Sequence, residues 1–212
     1  MKTMLERATE RTYAILDVLD EYGFNVDEPY RCDLPNGYYI EDGACRVVVI
    51  DSNHCDFVIK FGWRDSDEKY CKKEAELYED AEKKGLERFF AWTHYICEFQ
   101  GRAIYAMEYL DCDEEDISDK SSDYCWKLYC DDNNVDTDED DWDIRDEFWD
   151  SYNDASDQTY GVVRYLSSMI SAKDAIALDQ FIWDNDINDL HDANFGYRNK
   201  EIVICDYAGY GW

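Results

Sequence analysis

The apolar positions near the amino terminus have the spacing of an amphipathic helix. They are Leu5, Ala8, Ile15, Leu16 and Leu19. Charged residues stand between them, so residues 3–22 are predicted to form a helix that Gly23 ends. This pattern alone indicates a packing helix.

From Tyr38 onward the pattern changes to short β-branched and aromatic runs separated by turn residues. The runs are YYI, CRVVVI and DFVIKF, followed further on by WTHYICEF and RAIYAMEYL, and Gln100-Gly101 joins the last two. Residues 67–90, which lie between the two groups, return to helical spacing. The predicted order is strand, strand, strand, helix, strand, strand, with antiparallel pairing.

The next segment, residues 111–157, is acidic and of low complexity, with 20 Asp or Glu against three Lys or Arg. A run of like charge usually forms a solvated surface, but interleaved aromatic residues predict that parts of this segment dock as short helices. Residues 158–183 are again apolar at helical spacing. The tail then alternates loops with short strands, and we expect EIVIC to form a hairpin with the residues after Asn194.

The charge balance of the 212 residues excludes some functions. With 51 acidic and 21 basic residues the formal net charge is −30, which argues against direct binding of nucleic acid. The nine cysteines contain no C-x-x-C pair, so no disulfide framework or zinc site is predicted. No apolar run reaches about 18 residues and no leader is recognised, so we expect a cytoplasmic protein without a membrane segment.

The tail contains a group of oxygen ligands. In DLHDANFG, Asp189 and Asn194 are five residues apart in a loop, and Asp206 follows twelve residues later at the end of IVIC. The expected hairpin would bring these three side chains together. Phosphoryl transfer needs such groups to bind Mg²⁺ and to accept a proton from the attacking hydroxyl.

These motifs carry a family resemblance. D-L-H-D-A-N-F-G-Y followed by V-I-C-D-Y-A-G resembles the catalytic loop and metal-binding turn of the protein-kinase-like superfamily. The D-x-H-x-x-N variant is most similar to short bacteriophage-encoded protein kinases and, more distantly, to small-molecule kinases. The resemblance implies Asp189 as catalytic base, Asn194 and Asp206 as Mg²⁺ ligands, and His191 near the transferred phosphate.

The resemblance extends to the nucleotide-binding residues upstream. F-V-I-K-F is similar to the third-strand lysine motif, which implies that Lys60 binds the ATP phosphates and that Glu74 on the following helix is its partner, with Glu76 as the alternative. Gly43 lies where a glycine-rich loop would cover the phosphates.

The segment A-M-E-Y-L resembles the hinge that binds adenine. This implies Met107 as gatekeeper and the backbone of Glu108 to Leu110 as the adenine contact.

The predicted fold class is α+β, in a bilobal protein-kinase-like arrangement. It has an amino-terminal helix and lead-in (1–37), an antiparallel-sheet N-lobe (38–110), an acidic insertion (111–157) and a minimal, mostly helical C-lobe (158–212). The cofactors implied are ATP and Mg²⁺.

The sequence also departs from the kinase pattern. Ile187 and Asn188 stand where His and Arg are usual, Gly209 comes one place late, and six residues follow Asp206. We therefore expect a truncated C-lobe without an activation segment or a peptide platform. A protein substrate would then dock through residues 111–157, whose acidity attracts basic partners.

Three functions follow from this pattern. The first is a Ser/Thr-type protein kinase acting on partner or host proteins. The second is a small-molecule hydroxyl kinase, which needs no peptide platform. The third belongs to another class, a catalytically silent kinase-fold protein whose acidic surface inhibits a basic or DNA-binding partner. The enzyme ranks above the inhibitor because every expected polar position holds a chemically competent residue.

Overall fold

The computed structural model describes two compact units of the chain, the first ending at Leu110 and the second beginning at Asp111. The description covers residues 2–43, 45–133, 135, 145–146, 148–149 and 155–208. Within these ranges the side chains of Asp42, Glu114 and residues 155–160 are not described.

The first unit begins with helix α1, Met4–Glu21. Thr3 caps it, since its hydroxyl accepts from the Glu6 amide while the Glu6 carboxylate accepts from the Thr3 amide. The chain leaves the helix at Tyr22, and Gly23 takes a φ of +68°. The predicted helix of residues 3–22 is confirmed.

Five strands form one antiparallel sheet in the first unit, in the order β1-β2-β3-β5-β4. The strands are β1 Tyr38–Asp42, β2 Arg46–Asp51, β3 Phe57–Gly62, β4 Thr93–Phe99 and β5 Arg102–Glu108. Helix α2, Glu68–Lys84, lies between β3 and β4 in the chain, as the alternation of patterns predicted. Gln100 and Gly101 both adopt positive φ in the tight turn between β4 and β5.

Side chains along each strand alternate between the two faces of the sheet, and a helix packs on each face. One face packs on α1 in a buried cluster that includes Ile15, Val49 and Ile59. On the opposite face, Cys71 and Ala75 of α2 pack on Ala103 and Tyr105 of β5. Residues of β3 that alternate with Ile59 therefore face α2.

The close approach of α2 to the sheet depends on Gly62 at the end of β3. A Cβ atom at this position would lie 2.5 Å from the backbone nitrogen of Glu68, which begins α2. Only a residue without a side chain fits between strand and helix here, and a short 3₁₀ helix, Asp65–Asp67, makes the connection.

The described part of the second unit has three α-helices with defined bounds, a 3₁₀ helix Asp192–Asn194 and a β-hairpin. The α-helices and strands are α3 Glu114–Asn133, α4 Ala155–Met169, α5 Ala172–Asp184, β6 Phe195–Arg198 and β7 Glu201–Ile204. The hairpin is antiparallel, with Phe195 opposite Ile204. Asn199 and Lys200 both adopt positive φ in its turn.

Helix α3 occupies the acidic segment, where the sequence predicted short helices. It is 20 residues long and packs on α4. Its buried positions include Ile117, Ser121, Cys125 and Cys130. The rest of the acidic segment, apart from a few residues, lies outside the described part of the chain.

The chain is thus an α+β protein built around a five-stranded antiparallel sheet. None of the described helices is long and apolar enough to span a membrane.

Candidate functional site

Lys60 lies in the middle of β3 with its side chain 4% exposed. Its Nζ is 2.8 Å from Oε2 of Glu74, whose side chain is fully buried. Glu74 belongs to the buried stripe of α2, beside Ala75 and one turn after Cys71. Strand alternation and helical spacing therefore direct the two charges at each other inside the protein.

The sequence left Glu76 as an alternative partner for Lys60. Glu76 instead lies 3.7 Å from Lys72 in an ion pair whose side chains are both 64% exposed. Of the two candidates, Glu74 is the one paired with Lys60.

Sequence reasoning missed a second cation at Glu74. Nη1 of Arg46 lies 3.4 Å from Oε1 of Glu74, and the Arg46 side chain is 5% exposed. In the register of β2 with β3, Val48 is opposite Lys60 and Arg46 is opposite Gly62, so Arg46 and Lys60 are diagonal neighbours on one face. The signal available in the sequence is that Arg46 falls on the same face of β2 as the apolar residues Val48 and Ile50.

The residues predicted to contact adenine lie in or just after β5. The Met107 thioether is 3.5 Å from Lys60 Nζ, so the predicted gatekeeper borders the buried ion pair. The amide of Glu108 donates to Trp92 and that of Tyr109 donates to Asp56. The backbone amides of Glu108 and Tyr109, both in the predicted adenine-binding segment, are thus hydrogen-bonded within the protein.

The predicted phosphate loop is the turn between β1 and β2. The amide of Gly43 donates to the carbonyl of Arg46 at 3.0 Å, which closes the turn. Gly43 is exposed, and Ala44 lies outside the described residues. The Gly43 amide is thus hydrogen-bonded within the turn, and the structure does not link it to a phosphate.

In the second unit, the predicted catalytic loop follows α5. Ile187 and Leu190 are buried and anchor it, whereas the side chains of Asp189 and His191 are 28% and 45% exposed. His191 Nε2 lies 3.8 Å from Asp189 Oδ1, which is beyond hydrogen-bonding distance. Burial of the apolar neighbours thus leaves the polar side chains accessible.

Asn194 closes this loop. It is 7% exposed, and its Nδ2 donates to the backbone oxygen of Asp189 at 2.6 Å. With Nδ2 engaged, the amide presents Oδ1 as the atom for a cation.

The hairpin brings Asp206 close to Asn194 along the backbone. The amide of Cys205 donates to the carbonyl of Asn194 at 2.9 Å, and Asp206 is the next residue. Tyr207 and Ala208 are fully buried and hold the chain beyond it. The predicted hairpin of EIVIC is therefore present.

Asn194 and Asp206 are the residues that could hold the magnesium that the resemblance implies. Within the described part of the chain, no three His, Cys, Asp or Glu side chains are grouped as a metal site. Asn194 and Asp206 offer one amide and one carboxylate. Mg²⁺ commonly binds through one or two protein oxygens together with substrate phosphates and water, so two ligands are enough.

A cavity of about 380 Å³ lies beside the loop within the second unit. Its lining residues are Glu115, Ser118, Asp119 and Asp192. Asp192 directly follows His191, so this acidic cavity adjoins the loop that carries Asp189.

Hydrogen bonds join α3 to the hairpin near this cavity. Tyr197 donates its hydroxyl to Asp116 at 2.7 Å, and Lys120 Nζ is 2.6 Å from the same carboxylate. The hydrogen bonds from Lys120 and Tyr197 lower the pKa of Asp116. The carboxylate therefore stays ionised and fixes α3 against β6.

The side chains implied by the resemblance thus form two groups. Lys60, Glu74 and Met107 are in contact in the first unit, and Asp189 and Asn194 are in contact in the second. Comparison with known proteins finds no matching family, curated protein or solved structure.

Proposed function

We propose that this protein is a Mg·ATP-dependent phosphotransferase of the protein-kinase-like type, acting as a Ser/Thr protein kinase on partner or host proteins. The observation that carries the proposal is the buried ion pair between Lys60 on the third strand and Glu74 on the helix that follows it. Protein kinases use this pairing to hold the lysine against the nucleotide phosphates.

The burial of this pair favours a functional role. Removing two charges from water costs several kcal/mol, and a well-packed apolar pair of similar volume is often at least as stable. Lys60 is 3% exposed and Glu74 is fully buried, so the pair carries this cost. A need for a fixed, ionised lysine beside a phosphate site accounts for retaining it.

The fold supports the same proposal. Five antiparallel strands in the order β1-β2-β3-β5-β4, with α2 inserted after β3, have the element order that the resemblance implied for an N-lobe. We assign the second unit to a minimal, mostly helical C-lobe.

Roles in the second unit follow from the chemistry of the loop and hairpin. We assign Asp189 as the base that accepts the proton of the attacking hydroxyl, and Asn194 and Asp206 as Mg²⁺ ligands. His191, beside Asp189, would donate to the transferred phosphate. The engagement of Asn194 Nδ2 with Asp189 supports this assignment, because it orients the amide oxygen for a cation.

The proposed acceptor is a Ser or Thr flanked by basic residues. Glu115, Asp119 and Asp192 line the cavity beside the loop, and residues 111–157 carry 20 acidic residues against three basic ones. Such a surface attracts positive partners and repels acidic ones.

The first test is thermal unfolding with and without Mg·ATP. A ligand at about 100 times its Kd adds roughly 2.7 kcal/mol, which for a chain of this size raises Tm by about 5 °C or more. We expect this shift in the wild type and in Asp179→Ala, an exposed carboxylate on α5 that serves as the matched control. Asp206→Ala should abolish the magnesium-dependent part. Absence of any shift in the wild type would reject the nucleotide site.

Transfer of the γ-phosphate tests the catalytic assignment. Peptides with Ser flanked by Arg should be phosphorylated faster than peptides with Ser flanked by Glu. Asp189→Asn should lower transfer about 100-fold or more while retaining the Mg·ATP shift. A fully active Asp189→Asn variant would show that another group is the base.

A further inference from the structure

We infer that Arg46 is a positioning residue for the phosphate-binding lysine, holding the Glu74 carboxylate in place when Lys60 binds the nucleotide phosphates. This inference rests on the proposed function. It assigns to Arg46 a role at the Lys60–Glu74 ion pair that the kinase resemblance did not predict.

The two oxygens of the Glu74 carboxylate contact different cations. Oε2 accepts from Lys60 Nζ at 2.8 Å, and Oε1 faces Nη1 of Arg46 at 3.4 Å. All three side chains are at least 95% buried. Each carboxylate oxygen thus has its own cation, and the orientation of the carboxylate is determined by both.

The sheet register makes this arrangement specific. Arg46 lies opposite Gly62, where the backbone at the start of α2 comes closest to the sheet on the face that α2 covers. Lys60 is two residues before Gly62 on the same face. A long side chain at Arg46 can therefore cross to Glu74 alongside Lys60.

The physical need for a second cation arises when phosphate binds. An anionic phosphate competes with Glu74 for Lys60 Nζ, and every ångström that Nζ moves away weakens its hold on a fully buried carboxylate. An unpaired buried charge is strongly unfavourable. With Arg46 on Oε1, Glu74 keeps an ion pair throughout, and less of the binding energy is spent on weakening the Lys60 contact. Arginine suits this task because its guanidinium is always charged and is rigid.

The test compares Mg·ATP and adenosine binding by calorimetry in Arg46→Met and Arg46→Lys. Arg46→Met keeps the length of the side chain but removes the charge, and we expect it to raise the Kd of Mg·ATP about tenfold. Adenosine has no phosphate, so its affinity should not change. Arg46→Lys restores a cation and should recover most of the Mg·ATP affinity.

A double-variant cycle separates positioning from direct phosphate contact. If Arg46 acts through Lys60, then Arg46→Met should change the Kd of Mg·ATP little in a Lys60→Met background. The same tenfold loss in that background would show that Arg46 binds phosphate directly, and it would overturn the inference. Unchanged Mg·ATP affinity in the single Arg46→Met variant would overturn it as well.

Unfolding measured without ligand tests the shared pairing of Glu74 with Arg46 and Lys60 independently of ATP binding. Each single variant leaves Glu74 with one of its two cations. The double variant, Arg46→Met with Lys60→Met, removes both cations from this buried carboxylate. It should therefore lose more stability than the sum of the two single variants. Arg102→Met, which removes a buried arginine paired with Asp27, is the control and should be additive with Lys60→Met. A wild type that binds no Mg·ATP but shows this coupling would reject the proposed function alone. Additive losses for Arg46 and Lys60 would reject the shared pairing.

Discussion

Asp51, at the end of β2, shows how a single residue in the first unit carries a buried charge. Its side chain is 2% exposed and accepts from the Asn53 amide at 3.0 Å, from the Tyr38 hydroxyl at 3.3 Å and from Arg11 at 3.5 Å. His54 Nδ1 lies 3.1 Å away. Burial alone would raise the pKa of Asp51, but hydrogen bonds from His54 and Asn53 outweigh it and hold the pKa below 3.8.

This shift predicts a pH-dependent contribution to stability. Because the folded pKa is lowered, the contribution is full above the ordinary value of 3.8 and is lost as pH falls through the folded pKa. Asp51→Asn should therefore cost about 2 kcal/mol of unfolding free energy at pH 7 and progressively less below pH 3.8. Urea unfolding across this pH range measures it, with exposed Asp17→Asn as control. A cost independent of pH would contradict the role of the charge.

Residues that depend on local motifs were predictable, and residues that depend on register were not. Asn194 and Asp189 are five apart in one loop, so the motif alone indicated that they lie together. Arg46 meets Glu74 only because β2 and β3 pair in one register and α2 packs on that face. Linear spacing places Arg46 on one face of β2, but it does not show which residue of α2 meets it there.

At the scale of elements, the period of the apolar pattern predicted the type and order of the helices and strands better than the residues at which they end. The helix expected over residues 67–90 ends at Lys84, because Gly85 adopts a left-handed conformation with a φ of +72°. Glu87–Phe89 form a separate 3₁₀ helix. Helix α3 was harder to predict because Ser121, Cys125 and Cys130 form part of its buried side. Charge counting gives weight to the exposed carboxylates and overlooks small buried residues.

The junction of β3 with α2 predicts different costs for two glycine substitutions. At Gly62 an added Cβ would meet backbone atoms of Asp67 and Glu68 at 2.5–2.9 Å, so Gly62→Ala must push α2 away from the sheet. We expect a loss of roughly 2–3 kcal/mol, in the range of overpacked cores. At Gly85 a Cβ meets nothing within 4 Å, so Gly85→Ala costs only the strain of its positive φ, about 1 kcal/mol.

Chemical denaturation of both variants measures the difference in stability, and the proposed binding of Mg·ATP provides a second measurement. Displacement of α2 moves Glu74 relative to Lys60, so Gly62→Ala should also weaken Mg·ATP binding, whereas Gly85→Ala should not. Equal losses of stability in the two variants would mean that the chain relieves the clash at Gly62 without moving the helix.

For the whole molecule, the main electrostatic feature is a net charge of −30. Like charges at this density repel one another and destabilise the compact state, and salt relieves the repulsion by shortening the Debye length from about 10 Å at 0.1 M to about 3 Å at 1 M. The acidic residues do not all affect stability equally, since a helix favours negative charge at its amino end and disfavours it at its carboxyl end. Helix α3 has acidic residues at both ends and no basic residue in its last turn.

The two ends of α3 allow the local and the global effects to be separated. Asp131→Asn with Asp132→Asn removes two charges from the unfavourable end and should raise the unfolding free energy by about 0.5–2 kcal/mol at low salt, with the gain shrinking in 1 M NaCl. Asp113→Asn with Glu115→Gln removes the same charge at the favourable end, where the Asp113 carboxylate accepts from the Asp116 amide at 3.1 Å. This second pair should be neutral or destabilising. Equal stabilisation by both pairs, measured by urea unfolding, would mean that overall repulsion outweighs the helix dipole, and charge removal anywhere on this surface would then stabilise the protein.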